Sequence, residues 1–308
     1  MTVQAVLDDI RKRPGTGDVI SVIDPATEET ITEFTDCGQE AVNEAAARAK
    51  ATFESGVWSE LPGRERAKIL WRIGEVIDEH AEEFAQLDSL NTGIPLRQAQ
   101  LQMSTCSEFF RYYAGWCSKI NGVAYDVKTD GIATDNYVNM HAYTLKEPYS
   151  VVGLIFPWNG PVFNFCAKLA PALAAGCNSV VKPAEETPLS AHVLMRLLSE
   201  AGVPDGVANL VNGYVHTVGA AITAHPDVEK VAFTGSTDVG RAIVHASADS
   251  NLNKVTLELG GKSPVRIFDD ARLKKAIPMS AFGTFVHSGQ ACVCGSRILV
   301  QCGVYDQV

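Results

Sequence analysis

Residues 39 to 121 follow a helical rhythm. Apolar side chains recur at three and four in QEAVNEAAARAKATFES, RERAKILWRIGEVIDEHAEEFAQLDSL and RQAQLQMSTCSEFFRYYAGWC, with charges on the opposite face. Each stretch predicts an amphipathic packing helix whose charge runs face solvent. Ahead of them, SVIDPATEETITEFT predicts a short hairpin, and YVNMHAYTLKEPYS, from Tyr137 to Ser150, alternates as an extended strand does. From Val151 the rhythm changes. The short apolar runs VVGLIF, NSVVKPA, VANLVN, KVAFTG and KVTLEL alternate with helical stretches, the first of which, PVFNFCAKLAPALAAG, closes at Gly176. Strands joined by helices of this length predict an α/β fold: a parallel sheet with helices on both faces, its ligands at the carboxyl ends of the strands.

Composition narrows the class. The 308 residues are 46% hydrophobic and 20% charged, enough for two domains with their own cores. A net charge of −10 argues against nucleic acid, because phosphate-backbone binding rests on clustered Lys and Arg. The opening MTVQAVLDDIRKRPG has acidic residues where a secretory signal would be apolar, and runs such as VVGLIF are too short to span a bilayer. The expectation is a soluble cytoplasmic protein with no membrane partner. Cysteines at 37, 106, 117, 166, 177, 292, 294 and 302 lack the spacing of a disulfide framework, and most are expected to be small buried hydrophobes.

Polar and glycine-rich residues gather after the predicted strands: PWN at 157–159, KPAE at 182–185, NGY at 212–214, TGSTDVG at 234–240 and ELGGKS at 258–263. TGSTDVG opens a helix, so Gly235 and Ser236 could hold a pyrophosphate at its N-terminus; an ordinary helix start is an equal reading. In KPAE, Glu185 could accept both hydroxyls of a ribose and would repel a 2'-phosphate, favouring NAD over NADP. A surface ion pair between Lys182 and Glu185 is the simpler reading of those residues alone. ELGGKS is not a P-loop, because Thr256 stands where its first glycine belongs and Pro264 follows.

FVHSGQACVCGSR carries Cys292 and Cys294 one residue apart. Zinc would need two more ligands, with only His287 and Cys302 near in sequence, so no metal is expected. A redox pair normally has two intervening residues. A nucleophile needs a base, and Glu258 ends a strand of the same sheet.

Taken together, PWNGP, KPAEETP, FTGSTDVG, LELGGKSP and SGQACVCGSR, in this order and spacing, closely resemble the NAD(P)-dependent aldehyde dehydrogenase superfamily. The resemblance runs from near Ser21 to the end. It implies Cys292 as nucleophile, Glu258 as general base, Asn159 as oxyanion-hole amide and Lys168 as a proton-relay lysine. It further implies cofactor contacts from Ile155, Trp158, Asn159, Lys182, Glu185, Gly219, Phe233, Gly235, Ser236 and Leu259, with Phe163 and the FFRYY segment along the substrate tunnel. The fold implied is a Rossmann-like NAD-binding domain of residues 1–127 and 149–259, extended strands at 128–148 serving as an oligomerisation arm, and the start of a second α/β catalytic domain at 260–308. Family members continue well past the cysteine, so that second domain is expected to be incomplete. The family often has Asn where this chain has His287.

The chemistry implied is oxidation of an aldehyde to a carboxylic acid with NAD, through a cysteine thiohemiacetal and a thioester, in a homo-oligomer (dimer or tetramer). Glu258 is expected to be partly desolvated, and Cys294 to be a packing thiol. Two other readings stand beside it: the 308-residue chain as a nucleotide-binding fragment without turnover, and acyl transfer to coenzyme A, which retention of Glu258 disfavours.

Overall fold

The computed structural model describes residues 3–12, 14–130 and 137–308. Helix α1 (Val3–Lys12) leads to an antiparallel pair, β1 (Val19–Ile23) and β2 (Thr30–Thr35). The hairpin matches the sequence expectation; α1 was not foreseen. It buries Val6, Leu7 and Ile10 and packs on β2 and on a later helix, so a segment inspected only for targeting signals is a structural helix.

Helices α2 (Gly38–Glu54), α3 (Gly63–Glu79), α4 (Ala81–Thr92) and α5 (Leu96–Ala114) follow. The sequence pattern joined α3 and α4 into one helix. The structure breaks it at His80, whose backbone (φ −109°, ψ 12°) leaves the helical region. The break is invisible in the pattern because apolar spacing continues across it; Val76, Ile77 and Phe84 are all buried. Strands β3 (Ala124–Asp130) and β4 (Tyr137–Tyr143) then pair antiparallel, from Ala124 opposite Tyr143 to Asp130 opposite Tyr137, with every residue exposed.

The central sheet has five parallel strands: β5 (Val151–Ile155), β6 (Asn178–Lys182), β7 (Ala208–Leu210), β8 (Lys230–Gly235) and β9 (Lys254–Leu259), in the order β7-β6-β5-β8-β9. The connections are α6 (Pro161–Ala175), α7 (Leu189–Glu200), a π-turn at Val215–Gly219 running into α8 (Ala220–Ala224), and α9 (Thr237–Asp249). Alternation along each strand divides the core in two. Val152, Leu154 and Val181 point to one side, against α3 to α7; Val151, Ile155, Val180, Val231 and Phe233 point to the other, against α2, α8 and α9. Gly153 sits where a Cβ would lie 2.6 Å from an Ile222 methyl, so α8 can rest directly on the sheet. After β9, a second parallel pair forms from β10 (Pro264–Ile267) and β11 (Arg297–Val300), bridged by α10 (Leu273–Phe285). No helix among the described residues is long and apolar enough to cross a membrane.

One core position carries a carboxylate. Asp88 on α4 is fully buried and neither oxygen makes a well-formed hydrogen bond. Burial raises its pKa from 3.8 to about 7, although the Ser190 hydroxyl and the Val162 N–H lie close enough to oppose the shift. A raised carboxylate favours the folded state fully below 3.8 and loses that contribution as pH climbs through about 7. Asp88→Asn should therefore gain stability relative to the parent across that window, by roughly 4 kcal/mol at most. Urea unfolding of both proteins at a series of pH values measures it; a difference independent of pH would contradict it.

Candidate active site

Residues at the carboxyl ends of the strands face one region of the molecule, as the parallel sheet requires. Across the sheet, Ile155 pairs with Lys182 on one side and with Phe233 on the other, and Gly235 pairs with Leu259. Lys182 is 1% exposed; its ammonium donates to the Pro183 carbonyl at 2.8 Å and to Glu185 at 2.9 Å. The other Glu185 oxygen accepts from the Val215 N–H of the π-turn at 3.4 Å. Gly219 closes that turn, and a Cβ there would meet Val215 at 3.1 Å and the Lys182 stem at 3.7 Å. The ion pair and the glycine surface thus belong to one place. The Asp36 carboxylate braces the same turn, accepting from the Tyr214 N–H at 2.8 Å and from the Thr217 hydroxyl.

At the end of β8, Ser236 is the N-cap of α9, its hydroxyl accepting from the Val239 N–H at 3.3 Å. The capping reading of Ser236 is realised, while the N–H groups of Thr237 and Asp238 stay unused by the helix. A Cβ on Gly235 would lie 2.4 Å from the Phe233 ring, which folds back beneath it. Any larger residue there would require the Phe233 ring to move.

Asn159 follows β5, just before α6 begins at Pro161. Its side-chain amide donates to the Gln290 carbonyl, two residues ahead of Cys292. The loop bearing the cysteine is held from several directions. Its residues His287, Ser288 and Gly289 all have positive φ (61°, 58° and 75°), a turn that swings the chain back after α10. The His287 N–H donates to Gln98 of α5, Gln290 donates to the Thr92 carbonyl at 3.4 Å, and the Ser288 hydroxyl reaches the Gly93 carbonyl at 3.5 Å. Downstream, Gly295 bonds the Gly283 carbonyl at 3.0 Å. The two thiols differ in surroundings: Cys292 is exposed and Cys294 is buried. None of the sequence patterns pointed to Gln98 or Gln102. They stand four apart on one face of α5, but their partners lie about 185 residues away.

Lys168 lies on α6. Burial lowers its pKa from 10.5 to about 8, partly offset by the negative charge of Glu258 and reinforced by Lys230. The Glu258 charge thus acts on Lys168 from within electrostatic range. The expected desolvation of Glu258 is not met: β9 is an edge strand, and alternate side chains along it, Glu258 included, are exposed. Phe163 and Phe109 meet edge to face at 5.3 Å, bringing together the two segments assigned to a tunnel wall. Trp158 is exposed and, with Thr92, Glu186, Thr187 and Gln290, lines a cavity of about 310 Å³. A cavity of about 630 Å³ runs along β7 and touches neither Cys292 nor Glu258. Among the described residues, no group of three or more His, Cys, Asp or Glu is placed to hold a metal ion.

The sequence model of the aldehyde dehydrogenase family matches residues 12–308. Over 291 residues the chain is 46% identical to aldehyde dehydrogenase 1 of Tanacetum cinerariifolium, covering 94% of this chain and 56% of that protein. The solved structure of PnpE in complex with nicotinamide adenine dinucleotide superposes with a TM-score of 0.87 at 40% identity, over 94% of this chain and 57% of that one. That of aldehyde dehydrogenase from Bacillus cereus does so with 0.91 at 39%, over 99% and 62%. The chain belongs to the aldehyde dehydrogenase family, and it spans a little over half the length of these relatives.

The Lys168 environment can be read chemically. Competitive acetylation, followed lysine by lysine in the mass spectrometer, should titrate Lys168 with a midpoint of about 8. Because the Glu258 charge raises that value, Glu258→Gln should move the midpoint lower. An unchanged midpoint would remove Glu258 from the neighbourhood of Lys168.

Proposed function

We propose that this chain carries the NAD site and the nucleophile of an NAD-dependent enzyme that oxidises an aldehyde to a carboxylic acid. The observation that carries the reading is the bond from the Asn159 amide to Gln290, which brings an oxyanion donor beside the loop of Cys292. The domain division is part of the proposal: residues 1–127 and 149–259 bind NAD, and 260–308 begin the catalytic domain.

The strand ends suit the cofactor. Glu185 would take the ribose hydroxyls and Lys182 would hold Glu185 in place, while the first turn of α9 beside Gly235 would take the pyrophosphate. The side chain that would meet the ribose is a carboxylate, which favours NAD over NADP. Ile155, Trp158, Gly219, Phe233 and Leu259 complete the contact surface. Bound NAD would supply the hydride acceptor.

The rest of the chemistry belongs to the chain. The Cys292 thiolate adds to the aldehyde carbon, and the resulting oxyanion accepts from the second Asn159 amide hydrogen and from the Cys292 N–H. One such donor lowers the barrier by roughly 3 to 4 kcal/mol. Once the carbon has lost its hydride, the acyl group is a thioester on Cys292. Glu258 takes a proton from the water that cleaves it, releasing the acid and the thiolate. Lys168, with its lowered pKa and the Glu258 charge acting on it, would be the group to relay that proton.

Titration with NAD, followed by NADH absorbance on adding benzaldehyde or hexanal, tests the reading. Cys292→Ala should abolish turnover and keep NAD binding. Glu185→Gln should weaken NAD by roughly ten- to a hundredfold, the loss expected for a hydrogen bond to a charged group. Glu258→Gln should leave the acyl group on Cys292, visible as added mass. Full activity in Cys292→Ala would overturn the assignment. NAD binding without turnover in the 308-residue chain favours the fragment reading, for which the exposure of Cys292, Phe285 and Val293 speaks.

The exposed β3 and β4 pair supports an oligomerisation arm, since Tyr125, Val127, Tyr137, Met140 and Tyr143 present apolar surface with no cover. Sedimentation should find a dimer or tetramer that Met140→Lys with Tyr143→Lys dissociates; a parent that sediments as a monomer would remove the arm from this chain. A cytoplasmic setting belongs to the same proposal, consistent with eight free thiols.

A further inference from the structure

His287 is buried at the base of the nucleophile loop, and both ring nitrogens are engaged. Nε2 faces the Asn159 carbonyl oxygen, which can only accept, so Nε2 carries the proton. Nδ1 lies 3.1 Å from the Gln102 amide nitrogen, while the Gln102 oxygen is buried without a partner; with the amide in this orientation Gln102 donates and Nδ1 accepts. The two contacts together select the neutral Nε2–H tautomer. Burial also lowers the pKa of His287 below 6.5, which keeps the ring neutral near pH 7. Its other bonded partners, Gln98 and Asn159, carry no charge, and neither do Thr92 and Gly93 of α4, against which the loop rests.

The ring has the hydrogen-bonding pattern of a carboxamide, with one N–H donor and one acceptor pointing apart. It also closes a circuit around Asn159. The backbone oxygen of Asn159 is held by His287, and its side-chain amide is held by Gln290. Residues 287 and 290 are themselves tied, because the Gln290 N–H donates to the His287 carbonyl at 3.0 Å.

We propose that His287 is a positioning residue for the nucleophile: its neutral imidazole bridges the Asn159 carbonyl and Gln102, as a carboxamide could, so that Asn159 and Cys292 are held in fixed relation. Its importance for catalysis rests on the dehydrogenase reading; the bridge itself does not.

The experiment needs neither NAD nor aldehyde. Alkylation by iodoacetamide at neutral pH is followed cysteine by cysteine, with exposed Cys302 as internal reference for Cys292. In His287→Ala the Cys292 to Cys302 rate ratio should shift by about fivefold or more, since both ring hydrogen bonds are lost and each contributes about 1 kcal/mol. In His287→Asn, where an amide restores donor and acceptor, the ratio should return to the parent's. An unchanged ratio in the Ala variant, or a folded Asn variant that behaves like Ala, would overturn the proposal. Should His287→Ala fail to fold, the ¹⁵N spectrum of the parent decides: protonated Nε2 with bare Nδ1 supports the bridge, and the opposite tautomer or an imidazolium sinks it. A chain that forms no NADH yet shows this alkylation pattern would count against the dehydrogenase reading alone.

Discussion

The organisation of this protein depends on β5 and β6, parallel neighbours buried on both faces along their whole length. A strand enclosed on two sides has no position at which a polar side chain can reach water. Polar groups are therefore displaced to where the strands end and the chain turns into the next helix. Lys182, the last residue of β6, shows the constraint at its sharpest: it is almost wholly buried and satisfied by the Pro183 carbonyl and Glu185. The same displacement puts Asn159 after β5 and the glycine turn after β8, so the sheet concentrates the chemistry without any residue in its middle taking part.

A second tier of structure holds the cysteine loop. Its polar contacts come from the end of α4, the face of α5 and the turn after β5. These bonds are individually modest, each about 1 kcal/mol net. Converging on four successive residues, 287 to 290, that include two non-glycine positions of positive φ, they specify one conformation where the local backbone would favour others. The arrangement is rigid where Asn159 meets the loop and open at Cys292 itself.

Buried ionisable groups run against stability and mark where packing has been compromised. Asp88 is raised and Lys168 is lowered by the same physical cause, loss of water around a charge. Both lie under the site, Asp88 near the first turn of α6 and Lys168 two turns farther along that helix. Lys168 has a use in the proposed chemistry through Glu258; Asp88 has no partner that accounts for it.

Much of the molecule was legible along the chain. The alternation of strand and helix after Val151, the β1 and β2 hairpin and the strand-end motifs all follow from local sequence, because period and turn chemistry are local properties. Ser236 as a cap was equally readable. What local sequence could not decide was any matter of distance. The break at His80 preserves apolar spacing on both sides; the burial of α1 needs α7 and β2 beside it; the exposure of Glu258 follows from one face of β9 lying uncovered, which only the packing around the sheet decides. The tautomer of His287 is of the same kind, since only folding brings Asn159 and Gln102 to either side of one ring. Residue types and their periods determined which groups gather at the strand ends, while the tertiary structure decided which of them touch, because contact between residues far apart in sequence has no local signature.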